Sequence, residues 1–103
     1  MTYRSRAFLD LAHRVHQCQI RLPGICIGYS EHGCEPAHPN AQEFGKGMGH
    51  KAADIHAAAC HACHAELDQG KRFSKAEKRD YWLAGHARTV LLYLERGLLK
   101  VSA

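Results

Sequence analysis

Apolar positions divide the chain into two ends with helical spacing and a middle without it. Near the start, Phe8, Leu11, Ala12 and Val15 fall at i, i+3, i+4 and i+7. That spacing predicts an amphipathic helix over roughly residues 3–16, within an N-terminal segment 1–17. Near the end, Ser74 and Glu77 make an S-x-x-E capping box, and Gly97 is a stop signal, which together predict a helix from Ser74 to Arg96. Along it Leu83, Ala87, Val90, Leu91 and Leu94 draw one apolar stripe, read as the face that enters the core. The tail "LLKV" is expected to dock on that core or to add a strand.

The middle follows neither period. "CQIRLPGIC" alternates and then turns at Pro23-Gly24, which predicts a short hairpin. Residues 28–50 hold five of the nine glycines and two of the three prolines, a composition that builds no core unaided. About 20 residues without periodicity inside a small domain mark a functional or metal-organised segment. Helical pattern resumes near His61 and stops at Gly70.

Length sharpens this picture. A chain of 103 residues is expected to form one domain with a thin core that needs a staple. No apolar run is long enough to span a membrane, and the opening "MTYRSRAFLD" has no apolar signal core, so the expected compartment is the cytoplasm. In a reducing compartment the five cysteines are read as metal ligands rather than disulfides. The formal net charge of +4 suits a polyanionic partner. The positive charge gathers between Lys71 and Arg79, where Lys71, Arg72, Lys75, Lys78 and Arg79 face only Glu77 and no other acid. On composition alone that run is an ordinary solvated face.

Cys18 and Cys26 flank the Pro-Gly turn, and Cys60 and Cys63 flank a CxxC turn. Four thiolates from two turns form a closed tetrahedral site for structural Zn²⁺. Such a site contributes on the order of 10 kcal/mol to folding, enough to offset a thin core. Cys34 is left over, with an exchange for Cys26 open. A redox CxxC enzyme is not supported, because no βαβ pattern surrounds the motif. If a helix begins in the CxxC turn, His64 and Asp68 become i, i+4 neighbours on one face, while His61 and Glu66 point elsewhere. An imidazole and a carboxylate so placed can grip a divalent cation and leave positions open for substrate oxygens. A plain surface hydrogen bond is the commoner meaning of such a pair taken alone.

"CQIRLPGIC … EPAH … KAADIHAAACHACHAELDQG" resembles the HNH, or ββα-metal, endonucleases built on a treble-clef zinc knuckle. It is most similar to the small lambdoid-prophage nucleases of the YbcO type, from about Cys18 through "GHARTVLLYLERGLLK". The resemblance implies an α+β fold with a zinc-stapled ββα-metal core over 18–70, between the N-terminal helix and a C-terminal helix and tail over 71–103. It implies a metal-dependent endonuclease that hydrolyses DNA with low sequence specificity. His38 would be the general base, Asp54 would stand in the slot of the asparagine that orients it, and His64 and Asp68 would hold a catalytic Mg²⁺, Mn²⁺ or Zn²⁺. Lys46 and Lys51, in the glycine-rich "EFGKGMGHKAAD", and Lys71, Arg72 and Lys75 become candidate DNA contacts. His50 and His56 are spare imidazoles near the site.

The chain departs from the family pattern at three places. Ala37 stands where many members carry an acidic or histidine ligand, Pro39 follows His38 where an aliphatic residue is usual, and Asp54 replaces asparagine. With Ala37, water and phosphate oxygens complete the metal shell, or Glu35 reaches in. Two competing functions stay open at this level: a zinc-stapled DNA-binding module without chemistry, and a protein-interaction adaptor whose leucine-striped helix docks a partner. Only the nuclease needs an imidazole at position 38.

Overall fold

The computed structural model describes residues 3–40 and 53–100. Ser5 caps the first helix, α1 (Arg6–Asp10), by accepting a hydrogen bond from the Phe8 amide at 3.1 Å. A 3₁₀ turn over Leu11–Arg14 follows, and at Val15 the backbone is extended. The predicted first helix is therefore shorter and ends two residues earlier. The cause is long-range pairing: the Val15 carbonyl accepts from Cys34 N at 2.7 Å, and the His16 carbonyl accepts from Ser30 N at 2.7 Å. Helical geometry could not present those carbonyls sideways. The spacing nevertheless identified the inward face, with Ala12 and Val15 buried and Phe8 and Leu11 packed beside them.

The hairpin expected around Pro23-Gly24 is reduced to an isolated antiparallel bridge, Gln17 to Tyr29, supported by Cys18 N donating to Gly28 O at 2.8 Å. Leu22 and Ile20 point into the core from this loop. Of the regular strands, β1 (Glu35–Ala37) lies in the stretch that lacked periodicity and β2 (Ala57–Ala59) just before the CxxC turn; they pair antiparallel, Glu35 opposite Ala59 and Ala37 opposite Ala57. Helix α2 (His61–Gln69) follows at once, with Cys60 as its N-cap, so strand, strand and helix run consecutively.

Helix α3 (Lys75–Glu95) has both halves of the predicted capping box, and Gly97 adopts a φ of +70° just past its end. Its buried face is another matter. Trp82, Gly85, Thr89 and Tyr93 enter the core, whereas Leu83, Ala87, Leu91 and Leu94 lie on the exposed side. The leucine stripe is not the core face. α3 packs on β2, all three of whose alanines are fully buried, and small residues permit the close approach. A Cβ on Gly85 would lie 2.6 Å from Ile20 Cδ1 and 2.9 Å from the Gln19 carbonyl. Thr89 donates its hydroxyl to Gly85 O and accepts from Ala58 N at 3.0 Å, tying helix to strand.

Pleating gives β2 two faces. Ala57 and Ala59 join the cluster of Cys18, Ile20, Leu22, Leu67 and Trp82, while Ala58 joins Ala12, Val15, Cys34 and Tyr93. Leu98 and Leu99 of the tail dock on the second cluster without forming a strand. Among the described residues no helix is long and apolar enough to cross a membrane.

Candidate functional site

The loop after Gln17 and the first turn of α2 bring Cys18, Cys26, Cys60 and Cys63 together, every sulfur within 4.8 Å of the others. Four sulfurs around Zn²⁺ at about 2.3 Å would lie about 3.8 Å apart, so the cluster fits that ion. The chemistry agrees. A hydrogen bond with the Cys63 thiol draws the Cys18 thiol down to about 4, while that bond and burial push Cys63 up, and burial pushes Cys26 up. Four adjacent thiolates repel one another, and only a cation lets all four ionise together. Two backbone amides already point at sulfur, Cys63 N at Cys60 Sγ (3.4 Å) and Gly28 N at Cys26 Sγ (3.3 Å). Cys34 takes no part. It is buried in the second cluster, and burial raises its thiol to about 12.

One helical turn further along α2 the character changes. His64 stands between two carboxylates: Nδ1 lies 2.7 Å from Glu35 Oε1 and Nε2 lies 3.3 Å from Asp68 Oδ2. His61, expected to point away, also reaches Glu35, with Nδ1 3.0 Å from Oε2. The i, i+3 offset of the two histidines lets one β1 carboxylate bridge them. Asp68, then Glu35, raise the His64 pKa against the opposing effect of burial. Burial pushes the Glu35 carboxyl up, but the two imidazoles outweigh it and hold it below the usual range. Two carboxylates that favour the protonated imidazole mark a place where a cation can replace the proton. Glu66 is occupied elsewhere, accepting from Arg72 N at 3.0 Å beyond the end of α2.

His38 follows β1 directly, and its Nε2 lies 3.1 Å from Asp54 Oδ1. Asp54 is buried, with its other oxygen accepting from Ser5 N at 2.8 Å and Arg4 3.4 Å from Oδ1. Burial favours its neutral form, yet the Ser5 amide, His38 and Arg4 prevail and keep it ionised. An ionised carboxylate only accepts, so Nε2 of His38 carries the proton and Nδ1 is the basic nitrogen.

His38 and Asp68 line one cavity of about 490 Å³, together with Asn40, Leu67, Trp82 and the α3 cations Lys75, Lys78 and Arg79. Asn40 escaped the sequence reading, since nothing in its spacing marks it. Its side-chain amide donates to Asp68 Oδ1 at 3.3 Å. Of the basic candidates, Lys75 borders this cavity, Lys71 and Arg72 are exposed outside its lining, and Lys46 and Lys51, like His50, lie outside the described residues. His56 is no spare ligand. It is fully buried, 2.8 Å from the Tyr93 hydroxyl and against Phe8, and burial lowers its pKa to about 4.

Known proteins resemble this chain in sequence and in fold. The family model described as "Putative nuclease YbcO" matches residues 9–98. "Putative nuclease YbcO" of Escherichia coli K12 is 38% identical over 96 residues, covering 91% of this chain and 98% of the relative. The protein of that name from Enterobacteria phage 82 matches to the same extent. A solved structure titled as a putative bacteriophage protein from Escherichia coli K-12 superposes with a TM-score of 0.64 at 30% identity, covering 87% of this chain and 99% of the other. The chain belongs to the YbcO family of putative nucleases.

Proposed function

We propose that this protein is a metal-dependent endonuclease of the HNH type, with a treble-clef zinc knuckle, that hydrolyses DNA phosphodiesters with low sequence specificity. The observation that carries the proposal is the shared cavity of His38 and Asp68, where an imidazole and a carboxylate border one space beside three cations, the carboxylate being paired in turn with His64. His38 Nδ1 takes the proton of the attacking water, and Asp54 holds the ring in that tautomer. Proton transfer of this kind contributes about 10²–10⁴-fold.

His64 Nε2 and Asp68 would hold the metal. Their 3.3 Å separation suits two donors on one divalent cation with bonds of about 2.0–2.2 Å. Glu35 answers the departure at Ala37. It accepts from Nδ1 of His64 and so leaves Nε2 for the cation, orienting the ligand rather than adding one. Mg²⁺ or Mn²⁺ held there would supply stabilisation of the charge that develops on the phosphate and leaving oxygen. Asn40 steadies Asp68, and the Lys71–Arg79 run provides backbone-directed charge for a DNA strand.

The test is plasmid nicking with added Mg²⁺ or Mn²⁺. Wild-type protein should carry about one zinc per chain and nick DNA, and His38→Ala should lose nicking while keeping zinc content and melting temperature. Full activity in His38→Ala would remove the base assignment. No cleavage by wild type across metals and DNA forms would leave a zinc-stapled DNA-binding module.

A further inference from the structure

The cavity beside His38 is larger and more apolar than a water and a phosphate require. Its volume of about 490 Å³ falls in the range of roughly 300–1,000 Å³ typical of sites that enclose a small organic group. Pro39, Leu67, Ala76 and Trp82 supply apolar wall, and Lys75, Lys78 and Arg79 supply positive charge. Trp82 is a rigid part of that wall. Its indole N–H donates to the Ala37 carbonyl at 2.8 Å, and its ring stacks on His86 at 4.8 Å and 6°. Lys78 is held in place by donating to Gly70 O at 2.6 Å.

We infer that this cavity receives the unstacked base of a nucleotide next to the scissile phosphate, so that the enzyme prefers DNA with unpaired nucleotides at the cut. The inference rests on the nuclease reading for the meaning of His38 and Asp68. Apolar walls beside cations match a nucleotide, which is a flat weakly polar ring joined to an anion. A base inside a duplex offers only its edge and cannot enter a recess without leaving the stack. An unpaired base enters without that cost, which favours open substrates by about 10-fold or more. Apolar walls contact any base by its face, in keeping with low sequence specificity.

Trp82 is the only tryptophan of the chain, so its emission reports on the cavity independently of cleavage. Titrating the zinc-loaded full chain with a short oligothymidylate, with no other divalent cation added, should produce a saturable change in that emission. The same backbone with abasic sites should bind at least about 10-fold more weakly. Ala76 is exposed, and Ala76→Phe should fill the cavity and abolish the base-dependent part of the signal. In Mg²⁺ or Mn²⁺, wild type should cut flapped or single-stranded DNA faster than paired duplex, and Ala76→Phe should bring that ratio towards one. Equal binding of abasic and base-bearing strands, or an unchanged ratio in Ala76→Phe, overturns the inference. Base-dependent binding without cleavage of any DNA upholds the cavity assignment and overturns the nuclease reading instead.

Discussion

Helix α2 carries two clusters that differ in nearly every physical respect. Its N-cap and first turn present Cys60 and Cys63 to two further cysteines in a nest of like atoms, buried except at the half-buried Cys26. Its next turns present His64 and Asp68 to Glu35, Asn40 and a cavity, with mixed donors and partial exposure. The first cluster gathers four sulfurs within reach of one ion, as structural metal sites do; the second borders open space at Asp68. On the proposed reading, one helix couples stability at one end to chemistry at the other. Distortion of the cysteine nest would misplace His64, whereas loss of His64 leaves the nest untouched.

The largest expected effect tests that asymmetry. Cys60→Ala removes a ligand and the N-cap of α2 together, and loss of a site contributing on the order of 10 kcal/mol should leave the chain unfolded. Circular dichroism and zinc content should fall together, and a folded, zinc-free Cys60→Ala protein would break the comparison. His64→Ala is the converse. Zinc content and melting temperature should hold, while metal-dependent cleavage falls by at least about 100-fold. Loss of zinc in that variant would mean that the two clusters are not separable.

Acid acts on neither cluster of α2 first, but on the core beside Phe8 and Tyr93. His56 is buried neutral with its pKa lowered to about 4, against about 6.5 in the unfolded chain. A depressed histidine contributes stability above the unfolded value and loses it as pH falls towards the folded one. The window is therefore about pH 6.5 to 4, and the loss reaches about 3 kcal/mol. Unfolding curves across that window should show the loss in wild type and a smaller one in His56→Asn. The smallest effect is expected at Leu91, which is 56% exposed, so Leu91→Gln should shift stability by no more than about 0.5 kcal/mol. A cost of several kcal/mol would restore the leucine stripe as a core face.

That stripe shows where the sequence misleads. Helical spacing identified α3 and both its ends, because capping and the glycine stop act within one turn. The inward face depended on what α3 packs against. The all-alanine β2 strand admits Thr89 at close quarters and Gly85 lies against Gln19 and Ile20, with Trp82 and Tyr93 in the clusters on either side. A leucine face would hold the helix too far out. β2 itself was illegible, since three alanines are poor strand formers and become a strand only by pairing with β1 under α3.

The candidate site divides in the same way. Spacing alone was enough for the CxxC turn and for the shared face of His64 and Asp68, because a helix repeats its geometry every 3.6 residues. The four-cysteine nest was anticipated from the cysteine pairs that flank two turns, and the fold brings its sulfurs together. Only tertiary structure could show Glu35 bridging His61 and His64, or Asn40 touching Asp68. The same holds for Asp54, held by Ser5 from 49 residues away while it grips His38. Each of those contacts joins separate elements, and no local period records which elements will meet. The chain's own pattern determined which residues can do chemistry; packing decided which of them face the same space.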